Sequence, residues 1–221
     1  MKRFSHILVK IGLLLIGASV VMYLVFFYPV VFQELKYFFM PAKEDIRITT
    51  RDKWGQDNKY AGKSNDGLVP ADENFSIIIP KIGANSKVMA NVDPYDSAVY
   101  QKALTQGVAH AEGSAFPGQI GNTFLFSHSS VNFLEADTFN AVFYVLTKLE
   151  KDDVFYIVYK GEVFKYVVSA KMVVNPEEVE YIGGVGGLEG ESGSTATLMT
   201  CWPAGTNLKR LVVLGKLTEN K

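Results

Sequence analysis

The sequence predicts a mainly β protein: a closed or nearly closed β-barrel with a few short helices, preceded by one N-terminal transmembrane helix. Three observations lead there. Ile11–Phe32 is a run of 22 residues without a charge. From Phe75 onward, short runs of β-branched and aromatic residues alternate with Gly, Pro, Asn and Asp, the punctuation of strands and turns. Helical signals are confined to a few short stretches. Composition narrows the function classes further. With 48% hydrophobic and 20% charged residues the chain is not of a disordered type. A net charge of −1 gives no electrostatic case for nucleic-acid binding. One cysteine and three histidines exclude a disulfide scaffold and a Cys-rich zinc site.

The first element is the anchor, residues 11–32. At about 1.5 Å per residue it spans about 33 Å, enough for a hydrocarbon core of about 30 Å. Lys2, Arg3 and Lys10 precede it, while Glu34 and Lys36 beyond it nearly cancel. The positive-inside bias places residues 1–10 in the cytoplasm and the rest outside. A cleaved signal peptide has a shorter apolar core and a small-residue cleavage site, whereas this run ends in Tyr28, Val30, Val31 and Phe32. No second apolar run of that length follows. Residues 33–74 read as an extracellular stalk, because charges, Gly, Asn and Asp are dense from Pro41 and no apolar period is visible; little fixed structure is expected there.

Residues 75–221 are long enough for one sizeable core. Strands are expected at Ser76–Pro80, Asn122–Phe126, Val154–Tyr159, Val163–Val168 with an extension over Ala170–Val174, Thr195–Thr200 and Arg210–Leu217. Lys160-Gly161 supplies a hairpin turn. Asp96 is suited to cap a helix over Ser97–Gln106, with Gly107 as its stop. Glu135–Leu149 has room for one or two helical turns. Gly183–Ser194 holds six glycines in twelve residues and reads either as a surface loop or as an adaptable wall of a groove.

Chemistry concentrates around Cys201. A lone thiol outside the cell is either buried and inert or kept for reactivity. Thr197-Leu198-Met199-Thr200-Cys201 ends a strand that Trp202-Pro203 stops, and a strand end can present a nucleophile to a groove. A thiol nucleophile needs a proton partner. His6 is on the cytoplasmic side, which leaves His110 and His128, and His128 also stands at a strand end. Arg210 begins the next strand, where a permanent charge and a rigid donor fork suit a carbonyl or a developing oxyanion. Each of these residues alone has an ordinary structural reading.

Together they resemble the sortases, membrane-anchored cysteine transpeptidases of bacterial surfaces. The segment ending in Cys201 fits that family's Thr-Leu-x-Thr-Cys motif. Arg210, within Gly205-Thr206-Asn207-Leu208-Lys209-Arg210-Leu211-Val212-Val213, fits the arginine of the next strand. His128 fits the catalytic histidine. Ile78-Ile79-Pro80-Lys81-Ile82-Gly83 resembles an early strand of the family, and Gly107-Val108-Ala109-His110, Pro117-Gly118 and Gly121-Asn122 resemble the stretch leading to the histidine. The similarity runs from about Phe75 to Leu217. The sequence departs from the family in having Ser127-His128-Ser129 where many members have Gly-His-Arg. A C-terminal membrane segment and an N-terminal lid, frequent in pilin-polymerising members, are not evident, which tilts the reading toward protein anchoring.

The resemblance implies a sortase-like barrel over 75–221 and catalysis by Cys201, His128 and Arg210. Thr200, Ser129, Gly183 and Gly184 are expected to touch substrate. The implied partners are surface proteins with a C-terminal sorting signal of the Leu-Pro-x-Thr-Gly type and an amine nucleophile from cell wall or protein. The implied location is the cell membrane, single-pass, with the catalytic domain extracellular. No cofactor is expected. Calcium, known in some relatives, cannot be placed: Glu112, Asp152, Asp153, Glu177 and Glu178 read as solvated loop carboxylates. Two other functions fit the same residues, a peptide-binding module without turnover and a thiol protease that releases its substrate to water. With reference pKa values of about 8.5 for a thiol and 6.5 for an imidazole, on the order of 1% of such pairs carry both thiolate and imidazolium near neutrality. A mostly neutral pair is therefore expected.

Overall fold

The computed structural model describes residues 6–7, 9–23, 47–51, 57–59, 67–129, 142–178 and 193–218. The chain divides into two compact units, Met1–Met40 and Pro41–Lys221. In the first, residues 9–23 form helix α1. Among the described residues no helix is long and apolar enough to cross a membrane. Residues 24–32 of the expected span lie outside the described residues.

The second unit is built on an eight-stranded closed barrel. Its strands are β4 (Phe75–Ile79), β5 (Ala84–Val92), β6 (Val108–Ala111), β7 (Gly121–Phe126), β8 (Val154–Tyr159), β9 (Glu162–Val174), β10 (Ser194–Trp202) and β11 (Lys209–Leu217). Around the barrel they run β10-β11-β9-β8-β4-β5-β6-β7 and close between β7 and β10. The six expected strands are present with small boundary differences. β5 and β6 are additional. Lys87 and Asn91 break any continuous apolar run in β5, and β6 has four residues, so neither carries a strong strand signal.

Local chemistry explains the connections. Lys160 and Gly161 have φ of 53° and 82°, the pair of positive values that a tight hairpin turn needs. β5 and β6 are parallel, so they require a crossover. Helix α2 (Ser97–Leu104) supplies it, capped by Asp96, whose side chain accepts from the Ala98 and Val99 N–H groups at 2.9 and 3.2 Å. α2 ends at Leu104, before the expected Gln106. Gly107 is needed for another reason: a Cβ there would run into the Lys87 carbonyl of β5. Within Glu135–Leu149 a 3-10 turn covers Leu146–Lys148, and residues 135–141 lie outside the described residues.

A difference appears ahead of the barrel. Little fixed structure was expected over 41–74, yet β1 (Arg47–Arg51), β2 (Asp57–Lys59) and β3 (Gly67–Leu68) form a small sheet in the order β2-β1-β3. Ile48 is buried with Ile78, Val158 and Val163, so at least this part is packed on the folded unit. The apolar residues that do so are too few to make a period. Residues 33–46, 52–56 and 60–66 of the expected stalk lie outside the described residues.

The barrel core is aromatic and aliphatic. Phe155 and Tyr166 stack at 5.3 Å and are fully buried. Gly215, beside the register shift in β11, lets this pair approach, since a Cβ there would meet the Phe155 ring. Gly215→Ala is therefore expected to destabilise the domain by about 1–3 kcal/mol through overpacking, read as a lowered midpoint in thermal or urea unfolding.

Candidate active site

The site is set by register. β10 and β11 are antiparallel, with Cys201 opposite Arg210. β10 and β7 are parallel up to Met199 opposite Phe126. The ladder continues one step: the Ser127 N–H donates to the Met199 carbonyl at 3.2 Å, and Thr200 Oγ1 donates to the Ser127 carbonyl at 2.9 Å. His128 is the next residue, so it arrives beside Cys201. Directly opposed residues share a face of a sheet. The three neighbouring segments thus bring His128, Cys201 and Arg210 to a cleft of about 710 Å³, which all three line.

One row below lie Phe126, Met199 and Val212, each two residues from the polar row on its own strand and therefore on the same face. They give the cleft an apolar floor. Tyr100 and Leu104 of α2 extend it on the β7 side, and Val174 at the end of β9 extends it beyond Arg210. Strand alternation beside Cys201 and His128 was the signal that could have named Met199 and Phe126.

Cys201 is a free, half-buried thiol. Arg210 is half-buried, and its Nη1 donates to the Asn207 and Lys209 carbonyls at 3.0 and 3.1 Å, which holds the side chain close to its own loop. Burial pushes the His128 pKa below its ordinary value, favouring the neutral imidazole. Thr200 and Ser129, expected to touch substrate, line the cleft. The Thr200 hydroxyl is already used to hold Ser127. Gly183 and Gly184 lie outside the described residues, as does the rest of Gly183–Ser194 apart from Gly193 and Ser194. Glu178 is half-buried in the cleft wall rather than on a solvated loop. Among the described residues no three His, Cys, Asp or Glu side chains come together as a metal site.

His110 belongs to the opposite face. It lies opposite Leu125, in line with Leu198 on β10, and is fully buried. The Asn91 N–H donates to its Nδ1 at 3.3 Å, so the proton sits on Nε2, which faces Ser114 Oγ at 3.0 Å and the Ala115 carbonyl at 3.2 Å. Phe116 stacks on the ring at 4.7 Å. Burial lowers its pKa as well, against the Ala115 contact, which raises it. This histidine is structural.

The sortase domain model matches residues 77–218. The chain belongs to the sortase family. Sortase C-1 from Actinomyces oris is similar at 29% identity, over 68% of this chain and 77% of that one, with a TM-score of 0.55. A lid mutant of sortase A from Corynebacterium diphtheriae is similar at 28% identity, over 68% and 72% of the two chains, with a TM-score of 0.54. Clostridium perfringens sortase C with the C-terminal cell wall sorting motif is similar at 26% identity, over 66% and 70%, with a TM-score of 0.53. No curated protein sequence matches the chain. These sortases carry both A and C designations and do not single out a subclass.

The lowered pKa values have a sign that can be measured. A histidine held neutral by the fold binds its proton more readily when unfolded, so stability is full above about pH 6.5 and declines as pH falls below it. Imidazole NMR titrations of His110 and His128 should give midpoints below 6.5, and urea-unfolding stability should drop on acidification from that point. A midpoint at or above 6.5 for His128 contradicts the burial argument.

Proposed function

We propose that this sortase is a membrane-anchored cysteine transpeptidase that cleaves a sorting signal of the Leu-Pro-x-Thr-Gly type and passes the acyl group to an amine. The observation that carries the reading is the row of His128, Cys201 and Arg210 across three adjacent strands, lining one cleft. The neighbour described with a cell wall sorting motif supports the substrate class. An apolar floor suits a Leu-Pro segment, and the cleft volume is that of a site for a short ligand.

The chemistry divides into two half-reactions. The Cys201 thiolate adds to the carbonyl carbon after the threonine, and the charge that develops on oxygen is met by the Arg210 guanidinium. His128, as imidazolium, gives its proton to the departing amine; the C–N bond breaks and a thioester remains. An incoming amine then adds to the thioester and gives its proton to His128. The C–S bond breaks, and thiolate and imidazolium are restored. Lowering the His128 pKa makes the imidazolium scarcer at neutral pH, so the reactive ion pair is a small fraction of the resting enzyme.

Residues 11–32 are proposed as the anchor, with the barrel outside. The described part of α1 supports a lipid setting: Leu13, Leu14, Leu15, Val20, Val21 and Met22 are all exposed, an apolar surface on every side that water would not tolerate in a stable helix.

The test uses the full chain in detergent micelles, Leu-Pro-x-Thr-Gly-like peptides with or without oligoglycine, and mass measurement. A thioacyl adduct on Cys201, converted to a new amide by the amine, is expected. Cys201→Ala should abolish it, and His128→Gln or Arg210→Ala should each lower kcat/KM by about a hundredfold or more. The ascending limb of the kcat/KM profile should have its midpoint below pH 6.5. Adduct that only hydrolyses would mean a thiol protease, and peptide binding without adduct would mean a binding module.

A further inference from the structure

The row of catalytic groups gives the cleft a direction. On the proposed reading, the departing amine leaves on the side of His128 and β7, because His128 protonates it. The acyl chain must then extend the other way, over Arg210 on β11 and toward the end of β9. Two strand spacings of about 4.8 Å separate β10 from β9, a distance that about three extended residues cover. At that end the chain turns out of β9 through Asn175 and Pro176, and Glu178 enters the cleft wall.

Glu178 is held in place. Its N–H donates to the Asn175 carbonyl at 3.1 Å, and Asn175 Nδ2 donates to Glu178 Oε1 at 2.9 Å. Among the described residues it is the only acidic side chain lining the cleft, and no described Lys or Arg forms an ion pair with it. The sequence that follows, 179–193, contains no Lys, Arg or His to neutralise it. An ordered carboxylate facing the acyl half of a peptide cleft, with no ion-pair partner among the described residues, favours a positive charge on the peptide.

We infer that Glu178 is a specificity-determining residue that selects sorting peptides with a Lys or Arg at the x position of Leu-Pro-x-Thr-Gly or directly before its Leu. The inference rests on the transpeptidase reading. It concerns only which acyl peptide is preferred and leaves the amine acceptor open.

The test uses the full chain in detergent and peptides that differ only in carrying Lys, Ala or Glu either at the x position of Leu-Pro-x-Thr-Gly or at the residue before Leu. The readout is the rate of thioacyl adduct formation at limiting peptide. At one of the two positions Lys should exceed Ala, and Ala should exceed Glu, with about a five- to tenfold spread between the extremes. The spread should shrink as ionic strength rises. Glu178→Gln should flatten it, and Glu178→Lys should reverse the order, an outcome that loss of folding cannot produce. Equal rates for the three peptides at both positions, or an order unchanged by Glu178→Lys, would overturn the assignment while leaving the transpeptidase intact. No adduct with any peptide would overturn the transpeptidase reading and this one with it.

Discussion

The parallel register between β7 and β10 is the constraint on which the site depends. It is held by more than the ladder. Thr197 Oγ1 donates to Asn122 Oδ1 at 3.0 Å, Thr195 Oγ1 reaches the same oxygen at 3.3 Å, and Thr200 Oγ1 holds the Ser127 carbonyl at 2.9 Å. A slip of one residue would turn every side chain of β10 to the other face. Cys201 would then enter the core, and Leu198 would face the cleft. The threonines of the cysteine-bearing strand thus act as register pins, and the substrate contact first expected of Thr200 is secondary to that use of its hydroxyl.

Barrel closure makes this register possible. The tied residues of β7 and β10 lie 73 to 75 positions apart, and they meet only because β11, β9, β8, β4, β5 and β6 complete the circuit. Closure also removes sheet edges, which matters for a short strand such as β7 whose end must stay available for a functional residue. The arrangement leaves His128 beyond the last ladder bond, at the cleft, while the residues just before it are buried.

Much of this was legible in the sequence, and the limits have physical causes. Long β-branched runs such as Val154–Tyr159 announced their strands. β5 and β6 were hidden because one mixes charged and apolar residues and the other is too short to show a period. Cys201, Arg210 and His128 were readable as strand-end residues. Their alignment in one row was not, because it follows from pairing between strands far apart in the chain. Glu178 was read as a solvated carboxylate, since only the path of the chain after β9 carries it into the cleft wall.

The two histidines of the barrel show why residue type alone could not assign roles. Both are pushed toward the neutral form by burial, so electrostatics does not separate them. Sheet parity does. His110 pairs with Leu125 and takes the core face, where the Asn91 N–H, Ser114 and Ala115 use both of its nitrogens. His128 stands three residues after Leu125, so in extended backbone it takes the other face, beside the thiol. A proton shuttle needs a ring that can exchange its proton with a reacting group, and a ring locked into one tautomer by core contacts cannot. The odd spacing along β7 therefore decides which imidazole can serve the thiol, before any shift in pKa is considered.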